Sequence, residues 1–127
     1  MFFTSKLFGQ TSYKGFIGKF PIELVTHIYS DGDARAIYTY TNFDNPIIIN
    51  GRLEKTNLDL FEKDTQGNIT ATFTFENFDA KSNVLTGSWQ NLKTKKTYQI
   101  FLSSISSFYP YKIIKILDLH NNFFDIH

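Results

Sequence analysis

The chain of 127 residues has no cysteine, which excludes disulfides, thiolate catalysis and cysteine-ligated zinc while leaving the compartment open. It has no excess of charge either. Thirteen Lys and Arg against 12 Asp and Glu give a formal net charge of +1, so no long-range field favours nucleic acid or an acidic substrate. The one local cluster, Lys93, Lys95 and Lys96, reads as a solvated turn rather than a phosphate patch. No apolar run approaches the ~20 residues of a transmembrane helix. Catalytic signatures are missing too: there is no Gly-x-Ser-x-Gly elbow and no Gly-x-x-x-x-Gly-Lys phosphate loop. Asp59 and Glu62 differ in strand parity and should point to opposite faces, which argues against a glycosidase pair. Neither an enzyme nor a cofactor is expected.

What the chain does have is a series of short alternating runs closed by turn residues. Ile22-Glu23-Leu24-Val25-Thr26-His27-Ile28 leads into Ser30-Asp31-Gly32-Asp33, and 34–40 leads into Asn42-Phe43-Asp44-Asn45-Pro46. Strands at intervals of roughly 8–12 residues with polar breakers mark an all-β meander, sandwich or barrel. Eight strands are expected, near 12–18, 20–29, 34–41, 46–54, 57–63, 68–76, 84–90 and 96–103. No segment between Tyr13 and Leu102 shows a clear helical period. Links this short force successive strands to be antiparallel, because a parallel pair needs a crossover of a dozen or more residues. An open sheet would leave two edges, and closing it into a barrel removes them. The expected fold is therefore an all-β, eight-stranded antiparallel up-and-down barrel over 12–103.

Alternation assigns the faces. One parity collects Ile22, Leu24, Ile28, Ala36, Tyr38, Tyr40, Ile47, Ile49, Leu53, Leu58 and Leu60. It continues through Ile69, Ala71, Phe73, Phe75, Leu85, Trp89, Tyr98, Ile100 and Leu102, while the other parity is mostly Thr, Ser, Asn, Gln, Arg and Asp. Gly51 and Gly87 fall on the apolar parity, where a missing side chain permits a sharp bend or a close neighbour.

Two segments flank the barrel. Residues 1–11 are an N-terminal arm or, through Phe8-Gly9-Gln10, the remnant of a signal-peptide cleavage region. The second reading implies a periplasmic or secreted protein, the first a cytoplasmic one. Residues 104–127 are strongly apolar and fit a short helix, an irregular segment or a further strand. They are expected to pack on the barrel or to meet a partner.

Eight meandering strands in a chain this size resemble the lipocalin and avidin-like β-barrels. The likeness covers roughly 12–103 and is one of pattern. Where lipocalins carry Gly-x-Trp near the first strand, this chain reads Gly15-Phe16-Ile17, and Gly87-Ser88-Trp89 falls in the seventh strand. Avidins use several tryptophans, whereas Trp89 stands alone here. Fatty-acid-binding proteins insert two helices where 16–29 reads as strand. The resemblance implies architecture and not a particular ligand.

Glu62 is the most informative polar residue. Either the strand ends by Phe61 and Glu62 faces water, or the strand continues and aims the carboxylate inward, where Tyr38 or Tyr40 would have to satisfy it. His27 with Asp31 and Asp33 contains metal-ligand chemistry, but Asp31-Gly32-Asp33 is better explained as a turn, so no metal site is expected. Two functions follow. The leading expectation is a non-enzymatic inhibitor- or immunity-type module that binds another protein, using Phe108, Tyr109, Tyr111, Ile113, Ile116, Phe123 and Phe124 as contact surface. The alternative is a carrier or sensor of a small apolar ligand lined by Tyr38, Tyr40, Glu62, Phe73, Trp89 and Tyr98. So many large rings favour a filled interior, which places the protein-binding expectation first.

Overall fold

A computed structural model describes residues 10–105. The expected arm before Gln10 and the expected contact residues Phe108, Tyr109, Tyr111, Ile113, Ile116, Phe123 and Phe124 lie outside the described residues. The described chain forms β1 (Gln10–Ile17), β2 (Phe20–Ile28), β3 (Asp33–Tyr40), β4 (Ile47–Glu54), β5 (Asn57–Lys63), β6 (Ile69–Phe75), β7 (Val84–Asn91) and β8 (Thr97–Ser104). Each strand pairs antiparallel with the next, and β8 returns to pair with β1 from Tyr13↔Ser104 to Ile17↔Ile100, so the meander closes into a barrel. β1 begins at Gln10, inside the expected arm, because Gln10 and Thr11 find partners in His27 and Thr26. Among the described residues no helix is long and apolar enough to cross a membrane.

Local chemistry sets the hairpins. Asp31 Oδ1 accepts the Asp33 N–H at 2.9 Å, and Arg52 Nη2 donates to the Asp31 carbonyl at 2.8 Å, so Asp31-Gly32-Asp33 is built as a turn. Asp64 closes the β5–β6 loop in the same way. Its Oδ1 accepts N–H groups from Gln66 and Asn68, each at 2.9 Å. Hydrogen bonds from Asn68 first, then from Gln66, hold its carboxyl below the usual range.

The inward parity builds one core, in which Tyr13, Ile22, Leu24, Tyr38, Ile49, Leu58, Leu60, Phe73, Phe75, Ile100 and Leu102 are fully buried. Each such side chain contributes roughly 1.5–3 kcal/mol over leaving it in water. Gly51 and Gly87 let the wall close on itself: a Cβ on Gly51 would sit 1.8 Å from the Asp59 carbonyl oxygen, and one on Gly87 would sit 2.3 Å from that of Thr74.

Two regions depart from simple alternation. Ile69, expected inside, is 43% exposed. The β5–β6 register shifts after Glu62↔Ala71 to Lys63↔Ile69, leaving Thr70 as the extra residue, and one extra residue reverses the side-chain direction beyond it. On the outer side of β2 and β3, the partners Val25 and Ile37 are fully buried as a second small cluster, with Glu23 and Thr39 buried beside them. The β3–β4 loop folds toward this face, where Thr39 Oγ1 donates to the Phe43 carbonyl at 2.9 Å. Elsewhere the outer wall is largely polar but carries exposed Ile48, Ile69 and Val84, together with Phe16 and Phe101, which face each other across the β1–β8 closure and stay half exposed.

Candidate functional site

Antiparallel succession brings the end of β3, β5 and β7 to the same end of the barrel as the start of β2, β6 and β8. Inward positions at that end carry Tyr38 and Tyr40 on β3, Glu62 on β5, Phe73 on β6, Trp89 on β7 and Tyr98 on β8. Strand parity expects the aromatic members inside and leaves Glu62 open, and the closed barrel places all of them at one end. Phe20, at the head of β2, joins them. It shares the parity of Ile22 and Leu24, the signal that identifies it in the sequence.

The rings touch in succession. Trp89 stacks on Tyr98 with centroids 5.6 Å apart and planes at 21°. Phe20 meets Tyr98 edge-on at 5.9 Å and Tyr40 edge-on at 6.4 Å. Tyr40 meets Tyr38 at 5.7 Å, and Tyr38 meets Phe73 at 5.1 Å. Phe73 is the cross-strand partner of Trp89, which completes the circuit. Edge-to-face and offset contacts at these distances are the favoured aromatic geometries, each worth about 0.5–1.5 kcal/mol beyond area burial. Burial grades from a dry floor of Tyr38 and Phe73, through half-buried Tyr40, Trp89 and Tyr98, to exposed Phe20 at the rim.

Glu62 enters this aromatic ring with a satisfied but unneutralised carboxylate. Of the two readings open for Glu62, the inward one holds: β5 runs to Lys63, as the expected strand over 57–63 does, and the Tyr38 hydroxyl donates to Glu62 Oε1 at 2.6 Å. The physical reason is that β5 stays paired to Ala71 of β6 before the bulge, so Glu62 keeps inward parity. Ion pairs among the described residues join Arg35 to Asp33 and Arg52 to Glu54 on the outer wall, and none reaches Glu62. Burial first, then the hydrogen bond and charge of Glu62, push the Tyr38 phenol far above its ordinary range. Burial also raises Tyr40, against a lowering contribution from the hydrogen bond with Tyr38. Trp89 Nε1 is a buried donor with no acceptor among the described residues.

Such a site can stack planar groups, hold positive charge and donate one N–H. Asp59 pairs with Arg52 and Thr74 on the outward parity, away from Glu62. His27 lies against Tyr29 on the outer wall, with ring centroids 4.5 Å apart, and its imidazole is held below its ordinary range by burial and then by Arg35. Surface depressions on the outer wall run along Thr74, Thr86, Ser88 and Gln99 and along Lys14, Phe16 and Phe101, with a further one at Tyr29, Asp31 and Arg35. No family model, curated protein or solved structure matches the chain.

Proposed function

We propose that this protein is a non-enzymatic binding protein that seats a small ligand at the aromatic end of its barrel. The observation that supports this most is the convergence of Glu62, with no neutralising partner among the described residues, and the unpaired Trp89 N–H inside one ring of aromatic side chains. Polar groups placed sparsely in an aromatic setting are what fix a ligand's orientation in most small-molecule sites. The barrel resembles the calycin group in architecture, but the seat proposed here is shallow. Below it Tyr38, Phe73, Phe75 and Tyr13 fill the middle of the barrel.

Protein binding is the leading expectation from the sequence, on the strength of a filled interior and of residues 108–124. The filled middle agrees with a module of that kind, but its expected contact residues lie outside the described chain, while the ligand reading draws on residues that are described. Trp89 is the single tryptophan and reports directly on the seat. Native mass spectrometry of gently purified protein, with Trp89 fluorescence before and after mild denaturing dialysis and refolding, tests the reading. A retained species of a few hundred daltons or less whose removal changes Trp89 emission supports it. A bare monomer whose emission no small molecule in a broad panel alters overturns it.

A protein-binding module remains the second reading, supported by Phe16 and Phe101. These are 47% and 53% exposed and opposite one another across the β1–β8 closure. Paired exposed aromatics of this kind are over-represented at protein contacts.

A further inference from the structure

We propose that the ligand taken by the aromatic end is a small organic cation, an alkylated ammonium that also carries an acceptor oxygen, as in choline and related amino alcohols. The inference rests on the seat proposed above and names its ligand class. Glu62 supplies the reason for positive charge. Its Oε1 accepts the Tyr38 hydroxyl at 2.6 Å, no ion pair reaches the carboxylate among the described residues, and the side chain is half removed from water. A wholly apolar ligand closing over it would strip the remaining water from a carboxylate without replacing it, which is unfavourable. An anion would be repelled. A divalent metal would need several hard oxygen ligands, and Glu62 is the one carboxylate in the ring.

The rings supply the reason for an organic cation. Aromatic faces carry negative potential and attract alkylated ammonium groups whose weak hydration is easily lost, best over tryptophan and then tyrosine. Here Trp89 and Tyr98 are stacked, Tyr40 stands edge-on to Tyr38, and Phe20 spans from Tyr98 to Tyr40 at the rim. Trp89 Nε1 supplies the reason for the oxygen. A buried indole N–H costs free energy until it finds an acceptor, and Glu62 already has its own donor in Tyr38. A hydroxyl or ester oxygen on the bound cation completes that bond.

The test compares choline with 3,3-dimethyl-1-butanol, which has the same shape with carbon in place of the charged nitrogen. Both are titrated into the full chain by calorimetry and Trp89 fluorescence. Choline is expected to saturate the signal, with at least tenfold weaker binding for the neutral isostere. Glu62→Gln keeps an acceptor for the Tyr38 hydroxyl but removes the charge, and is expected to weaken choline at least tenfold while the isostere binds no more weakly, so that the preference for the cation is lost. Equal binding of the two compounds to the native protein would overturn the cation assignment while leaving the seat intact. So would a native-mass adduct that is uncharged and is not displaced by choline. If neither compound binds and no adduct is retained, the assignment and the seat fall together. The comparison on unaltered protein decides the matter even where the Gln variant does not fold.

Discussion

The Tyr38–Glu62 hydrogen bond joins strands that are not neighbours in the barrel, and breaking it should have a measurable and conditional cost. Tyr38 is fully buried and donates at 2.6 Å to a carboxylate oxygen. Hydrogen bonds to charged groups contribute about 1.5–3 kcal/mol. Water can partly replace the phenol at half-buried Glu62, so Tyr38→Phe is expected to cost about 1.5 kcal/mol, the lower end of that range. For a domain of this size that is a fall of about 6 °C in Tm. In a Glu62→Ala background the acceptor is gone, and the same Tyr38→Phe change should cost less than about 0.5 kcal/mol, giving a coupling of about 1 kcal/mol. Urea unfolding followed by Trp89 fluorescence, with far-UV circular dichroism as the second probe, reads all four proteins of the cycle. Equal costs of Tyr38→Phe in the two backgrounds would refute the bond as a contributor to stability. Glu62 would then be a bystander at the ring.

Other outcomes follow from the same packing. Phe73→Ala empties the floor beneath the ring and is expected to cost about 3–5 kcal/mol, read by chemical denaturation. A loss below about 1 kcal/mol would mean the middle of the barrel is not filled as described. Gly51→Ala places a methyl 1.8 Å from the Asp59 carbonyl, so the β4–β5 pairing must open. That variant should be grossly destabilised or insoluble, and a native-like Tm would contradict the close approach. Because burial and Arg35 lower the folded pKa of His27, the unfolded chain binds the extra proton more readily. Stability should therefore be fully present above the unfolded value of about 6.5 and fall as pH drops through the folded value. His27→Gln should flatten that slope in urea midpoints measured between pH 7 and pH 5. Phe16→Ser with Phe101→Ser should cost under about 1 kcal/mol, since both rings are half exposed. Loss of binding to a protein captured by the native chain, with the far-UV circular dichroism unchanged, would support the second reading.

Strand number, direction and most of the inside–outside assignment were legible in the sequence. Period-two alternation and turn chemistry such as Asp31-Gly32-Asp33 act over a few residues and are written locally. The apolar parity of Ile22, Leu24, Tyr38, Leu60, Phe73 and Ile100 became the core because a pleated strand gives its side chains no other choice. Gly51 and Gly87 marked close approaches for an equally local reason, since only a missing Cβ fits there. The six candidate ligand residues were found by parity alone, but parity gives a face and not a height along the barrel.

Height, register and closure depend on how distant strands meet, and these the tertiary structure decided. The β1–β8 pairing turned a meander into a barrel and brought Tyr98 beside Phe20, while the β7–β8 hairpin set Tyr98 against Trp89. Regular pairing as far as Glu62↔Ala71 kept the carboxylate inward, and the register shift beyond it turned Ile69 out, which no count along β6 reveals because a bulge is a property of the pair. Burial of Val25, Ile37 and Thr39 on the outer wall likewise depends on what packs over a sheet face rather than on alternation within it. The sequence thus determined the strands and their faces through local sterics and solvation. Which side chains share a site was decided by long-range pairing, whose register is set only when the whole barrel closes.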